Sequence, residues 1–193
     1  MVVLASAVGF ASPATAQVAT SAEYSAPTHV IDGELVLARP AALTTGLSSG
    51  VGSSYLRRLG SSGTFAWGAR ASWSRATEYS LTETVRDDEI RMRLCAVAQH
   101  LAGRGWFGLR LGLGATAVHE SRTRAQGTRL GLTGSDLEQA SWYLFPAADL
   151  DGIVFLRVWN AWGMSLAGGP TVHLIDGAAS AGWSTSLGVS WQP

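Results

Sequence analysis

Hydrophobic and polar residues alternate with a period of two over most of this chain. In residues 64–80 the odd positions read Phe65, Trp67, Ala69, Ala71, Trp73, Arg75, Thr77 and Tyr79. The even positions read Thr64, Ala66, Gly68, Arg70, Ser72, Ser74, Ala76 and Glu78. Successive side chains of a strand point to opposite faces, so this segment predicts an amphipathic strand with one apolar, aromatic face and one small, polar face. It is also long. Strands of water-soluble proteins have a modal length of ~5–6 residues, whereas a tilted strand crossing a bilayer needs ~9–11.

The same pattern predicts further strands. Residues 90–100 place Ile90, Met92, Leu94, Ala96 and Ala98 opposite Arg91, Arg93, Cys95, Val97 and Gln99. Residues 107–120 place Phe107, Leu109, Leu111, Leu113, Ala115 and Ala117 opposite Gly108, Arg110, Gly112, Gly114, Thr116, Val118 and Glu120. Residues 142–158 hold one parity from Trp142 to Val158, with Asp149 and Asp151 on the other face. That unbroken parity favours one strand over a hairpin at Asp149–Gly152, and Pro146 marks a bulge candidate within it. Residues 163–174 and 182–191 follow, and 47–56 and 33–39 are weaker strands near the start.

These segments number eight, and their connections alternate. Arg57–Gly63, Gly103–Gly105 and Trp159–Trp162 are short; Thr82–Asp88, Arg122–Glu138 and Asp176–Ala181 are longer or more polar. An even strand count, with short turns at one rim and long loops at the other, is the signature of outer-membrane barrels. Over residues 33–192 the chain resembles the small eight-stranded outer-membrane barrels of the OmpA/OmpX type. The likeness lies in architecture rather than in a motif. It implies an all-β fold, an antiparallel up-and-down transmembrane β-barrel, located in the outer membrane of a Gram-negative bacterium. In that family a terminal strand ending in an aromatic residue aids assembly; here Trp191 is followed by Gln192 and Pro193.

A sheet in lipid must close on itself, because an unpaired backbone group costs several kcal/mol there. Trp67, Trp73, Tyr79, Trp142, Trp162, Trp183 and Trp191, with Phe107, then supply interfacial belts. A soluble sandwich or lipocalin-like barrel would turn the apolar stripe inward. The other face, rich in Gly, Ser and Ala and poor in charge, makes a poor solvated surface. Composition agrees: 47% of residues are hydrophobic, yet only 15% are charged, below the ~25% usual in soluble domains. After residue 17 no apolar run is long enough for a membrane helix. Fourteen basic residues, all Arg, balance fourteen acids, which leaves no electrostatic footprint for nucleic acid.

The face opposite the apolar stripe carries Arg70, Arg91, Arg93, Arg110, Asp149 and Asp151, with Glu78 and Glu120 nearer the long-loop rim. An eight-stranded barrel is just wide enough for side chains to fill it. The expectation is therefore an Arg–Asp network across strands that plugs the lumen, with Gly108, Gly112, Gly114, Gly182 and Gly188 leaving it room. The alternative is a narrow small-solute pore lined by the same charges.

Three further readings concern chemistry and addressing. His119 and Ser121 share the outward face, as in the His-x-Ser of some outer-membrane lipid A deacylases. An acid, Glu138, lies across the loop and Glu120 is on the wrong parity, but Arg122 stands where that motif has Asn and no glutamate sits at a convincing place on the next strand, so a lipid-modifying enzyme ranks below a structural or surface-interaction role. His29, His100 and His173 are scattered, and the single Cys95 supports no cysteine cluster, so no metal or cofactor is expected. Partners are outer-membrane lipids and lipopolysaccharide, whose phosphates Arg122, Arg124 and Arg129 could meet, together with other envelope proteins. The apolar run over residues 2–11, followed by Ala14-Thr15-Ala16, reads as a signal peptide at 1–16, and 17–32 as a polar lead-in to the barrel.

Overall fold

A computed structural model describes residues 28–39, 46–60, 63–80, 83–124 and 137–193; the signal peptide read at 1–16 lies outside the described residues. Eight strands run β1 (His29–Arg39), β2 (Ser48–Leu59), β3 (Phe65–Tyr79), β4 (Glu83–Ala102), β5 (Gly105–Arg124), β6 (Leu137–Trp159), β7 (Trp162–Ile175) and β8 (Ala178–Trp191). Each pairs antiparallel with the next and β8 pairs with β1, so the sheet is a closed up-and-down barrel. Closure leaves no unpaired sheet edge.

The register is staggered. Cross-strand pairs lead from Asp32 through Ser54, Arg70, Arg93, Gly114, Ala147 and His173 to Ser180. Asp32 itself pairs with Ser190, ten residues further along β8. This shear tilts the strands and fixes the diameter. Accessibility alternates along each strand as the sequence pattern requires; in β1, Val30, Asp32, Glu34, Val36 and Ala38 turn inward while Leu35 and Leu37 face out.

The strands differ from the sequence expectation mainly at their ends. β1 starts at His29, so the last residues of the polar lead-in belong to the barrel. β4 begins at Glu83, which converts most of the Thr82–Asp88 loop into strand, and the Arg122–Glu138 loop contributes strand at both of its ends. The segment read as a third long loop is a two-residue hairpin. Asp176 and Gly177 both take positive φ, 51° and 81°, as a type I′ turn demands. Asp149–Gly152 lies inside the continuous β6. Pro146 makes no bulge: it pairs in register with Ala115, and the ladder to β7 ends one residue below it, at Ala147. A residue lacking an N–H is tolerated where one flank is unpaired.

The barrel wall is consequently uneven. β3, β4, β5 and β6 stay paired up to Tyr79–Thr84, Glu83–Arg124 and Arg124–Leu137, while β6 runs without a β7 partner above Ala147. One side of the mouth therefore carries a raised four-stranded wall.

Candidate functional site: the filled lumen and the outer band

The lumen is built in layers. Nearest the short turns, Val30, Leu56, Ala66, Val97, Trp106, Ile153, Phe155 and Ala167 form an apolar floor. Trp106 and Phe155 stack with ring centroids 5.8 Å apart, and the Arg58 guanidinium lies over the Trp106 ring at 5.8 Å. The floor depends on Gly163, where a Cβ would collide with the Phe155 ring. The sequence expectation for the lumen is a charge network alone; Val97, Ile153 and Phe155, which share the inward parity, add this apolar layer beneath it.

Above the floor, Asp32 accepts hydrogen bonds from the Ser54 and Ser190 hydroxyls, the first at 3.2 Å. Next comes a ring of four charges. The register sets Arg110 directly opposite Asp151. Arg110 Nη2 and Nε donate to Asp151 Oδ2 at 2.7 and 3.0 Å. Arg70 donates to Glu34 Oε2 at 2.6 and 2.9 Å and lies 3.5 Å from Asp151, and Arg110 returns to Glu34 at 3.7 Å. Each carboxylate thus sees two guanidinium groups. A second cluster sits higher. Arg93 Nε donates to Asp149 at 2.8 Å and Nη2 to the Thr116 hydroxyl at 2.9 Å. Thr116 is 3.0 Å from His173 Nε2, which lies 3.6 Å from Glu89, itself held by Arg91 at 2.8 and 2.9 Å. Gly112 borders the cluster: a Cβ there would come into ordinary contact with both Arg93 and Asp149. Across the two clusters Arg70, Arg91, Arg93 and Arg110 face Glu34, Glu89, Asp149 and Asp151, four cations against four anions, all buried.

Of the residues singled out in the sequence, Arg70, Arg93, Arg110, Asp149 and Asp151 come together across strands. Arg91 does not join an aspartate; its partner Glu89 lies two residues away on the same strand face. Glu120 is buried above them and accepts from Arg122 at 2.5 Å. Glu78 is not in the lumen: it stands exposed at the end of β3, where the raised wall has left the closed barrel. Glu34, Asp32, Glu89 and His173 were missed: Asp32 and Glu34 fall at the weak first strand, and Glu89 falls between the expected Thr82–Asp88 loop and the strand read from Ile90.

Outside, the middle of the barrel is uncharged. Leu35, Val51, Met92, Leu94, Leu111, Leu113, Leu150 and Leu187 all stand exposed. Trp67, Phe107, Trp162 and Trp191 lie toward the short-turn end, and Trp162 pairs directly with Trp191. Trp73 and Trp183 lie toward the mouth. Eight residues of β8 separate Trp183 from Trp191, roughly 26 Å along a strand and about 20 Å along the axis at ~40° tilt. That is near the ~25 Å apolar band of outer-membrane barrels. Tyr79 and Trp142 depart from the belt assignment. Tyr79 ends β3 next to Glu78, and Trp142 pairs with His119 across from Asp88, so both stand among charged and polar residues beyond the apolar band.

Solved structures of barrels resemble this one in outline. The structure of Neisserial surface protein A (NspA) aligns over 86% of this chain and 96% of its own, with 12% identity and a TM-score of 0.47. Ail, the attachment invasion locus protein of Yersinia pestis, solved with the heparin analogue sucrose octasulfate, aligns over 84% and 96% with 12% identity and a TM-score of 0.43. The N-terminal β-barrel domain of Pseudomonas aeruginosa OprF aligns over 84% and 96%, with 13% identity and a TM-score of 0.38. No protein-family profile and no curated protein matches the chain.

The remaining chemistry is sparse. His119 packs its ring on Trp142, centroids 4.6 Å apart, and the carboxylate across from it is Asp88, which Arg75 holds at 2.7 Å. Ser121 shares the outward face but has no hydrogen bond to His119. The Glu138 and Arg124 side chains, and Arg129, lie outside the described residues. Arg122 shares the inward parity of Glu120 and bonds to it, so its guanidinium is not turned to the outer face of the barrel. No group of three or more metal-ligating side chains occurs among the described residues.

Proposed function

We propose that this protein is an integral outer-membrane β-barrel with a structural or surface-interaction role and a charge-plugged, non-conducting lumen. One observation carries the reading: the buried arginines of the lumen are paired with carboxylates, while the outside is uncharged for about 20 Å along the axis, near the ~25 Å apolar band of outer-membrane barrels. A soluble barrel needs the reverse arrangement. The apolar floor under the Arg–carboxylate ring closes the path for ions twice, once by dry packing and once by salt bridges. Residues 1–16 would serve as its export signal and be removed. The raised β3–β6 wall places strand surface, including exposed Tyr143, beyond the apolar band, where other envelope or extracellular partners would meet it.

Two measurements test this. Folded barrel extracted from membranes should migrate differently on gels before and after boiling; unchanged mobility would remove the membrane assignment. Purified protein in planar bilayers should show no steady single-channel steps. Steady conductance would replace the plug with the narrow-pore reading.

A further inference from the structure

The outer wall at the edge of the apolar band carries charges that the lumen does not use. Arg75, on β3, and Asp88 and Arg86, on β4, all lie on the lipid-facing parity. Arg75 Nε donates to Asp88 Oδ1 at 2.7 Å, and Arg86 Nε lies 3.5 Å from Asp88 Oδ2. Both arginine side chains keep more than a third of their surface exposed, 40% and 45%. Two guanidinium groups thus share one carboxylate, a net positive charge, at the depth where lipid headgroups begin. The Arg75 guanidinium also lies 5.1 Å over the ring of Trp73, which orients it.

Below them the wall is concave. Small outward residues, Ser53, Ala69 and Ala71, floor a groove of about 690 Å³ walled by Tyr55, Met92 and Leu94. Ala71 lies four residues down β3 from Arg75, about 13 Å at ~3.3 Å per residue. A molecule with a phosphate at its head and an extended acyl chain below spans that distance. A stripe of small residues alone would carry nothing, but here it runs up to Trp73, over whose ring the exposed Arg75 guanidinium lies.

We propose that this face of β2–β5 is a docking site for a phosphorylated, acylated glycolipid of the outer leaflet. Arg75 and Arg86 receive its phosphate, and the Ala69–Ala71 groove receives one acyl chain. The inference rests on the membrane reading above but not on the sealed lumen. It also moves anion recognition from the inward Arg122 to the outward pair. Guanidinium forks suit phosphate, and the surface charge is worth most beside a low-dielectric medium.

The test uses the full barrel in phosphatidylcholine nanodiscs, titrated with purified bisphosphorylated lipid A, its dephosphorylated form, or phosphatidylglycerol. Retained lipid is read by native mass spectrometry. Bisphosphorylated lipid A should be retained over both others. Combining Arg75→Gln with Arg86→Gln should weaken retention roughly tenfold, since each surface arginine contributes to anionic-lipid attraction. Ala71→Trp, which fills the groove and leaves the charges, should weaken it several-fold, and Arg122→Gln should not change it. Equal retention of phosphatidylglycerol or of dephosphorylated lipid A, or undiminished binding by the double variant, overturns the proposal. Arg75→Lys with Arg86→Lys keeps the charge and should bind better than the glutamine pair, which separates recognition from misfolding. Heat-modifiable mobility of every variant shows whether the membrane barrel stands even where lipid retention fails.

Discussion

At the scale of single residues, the lumen is a set of shared partners rather than isolated pairs. Asp151 meets both Arg70 and Arg110, so its removal strands two buried cations. Breaking one member of a buried ionic group costs ~3–5 kcal/mol because the remaining charge is uncompensated. Asp151→Ala should therefore lower the stability of the folded barrel by about that amount in urea titrations into lipid vesicles. Asp151→Asn keeps a hydrogen-bond acceptor and should cost less. Replacing Glu34, Arg70, Arg110 and Asp151 together with apolar residues of similar volume is a different experiment. Desolvation of four charges then disappears along with their attraction, and stability should change far less than the sum of single losses. If the single variant proves neutral, the ring contributes nothing to stability. The arginines and aspartates of this network were legible because strong strands fixed their parity. Glu34 was not, since its pairing with Arg70 and Arg110 depends on how β1 sits against distant strands, and no periodicity in one strand specifies register to another; Glu89 was not, because it stands where a loop was expected to end.

At the scale of elements, parity was readable and strand ends were not. Alternation persists through β3 to β6 beyond what lipid requires, because paired strands continue upward where loops were expected. Loop composition is polar, and so is a strand standing in water, so the two look alike in sequence. The β7–β8 connection shows the same limit from the other side. Asp176-Gly177 is a strong hairpin signal, yet the small residues after it, Ala178–Ala181, show too little contrast for alternation to mark where the next strand begins. The turn makes a sharp prediction. Gly177 sits at φ 81°, where a β-branched residue is strained. Gly177→Val should cost ~1–3 kcal/mol, whereas Gly177→Asn should be nearly neutral. Refolding yield from urea into vesicles checks both. The floor is a property of elements too: the register sets Trp106 of β5 directly opposite Phe155 of β6, and Gly163 on β7 leaves room for the Phe155 ring. Gly163→Leu should push the Phe155 ring out of its place and destabilise the barrel by ~1–3 kcal/mol, an over-packing cost.

At the scale of the whole molecule, one question decides the rest: which medium surrounds the apolar stripe. The answer gives opposite signs for one substitution. Leu94 stands 72% exposed in the middle of the outer band, with Trp73 and Trp183 toward the mouth and Trp67 and Trp191 toward the short turns. If the band meets acyl chains, an arginine at Leu94 should cost ~2–4 kcal/mol, falling to ~0–1 for Ala140→Arg, which stands exposed on the outward face of β6 toward the mouth. If the band met water, Leu94→Arg would be neutral or would improve solubility, because an exposed leucine has little to lose and a large exposed apolar surface promotes association. The measurement is the urea midpoint for folding into vesicles, compared between the two positions. A depth-dependent loss supports lipid outside. Equal midpoints would instead mean that the stripe has no lipid contact, and neither the sealed lumen nor the glycolipid face would have a membrane in which to act. Depth is what makes the comparison decisive, since both substitutions add the same charge to the outward face of the barrel wall and neither position lies opposite an arginine.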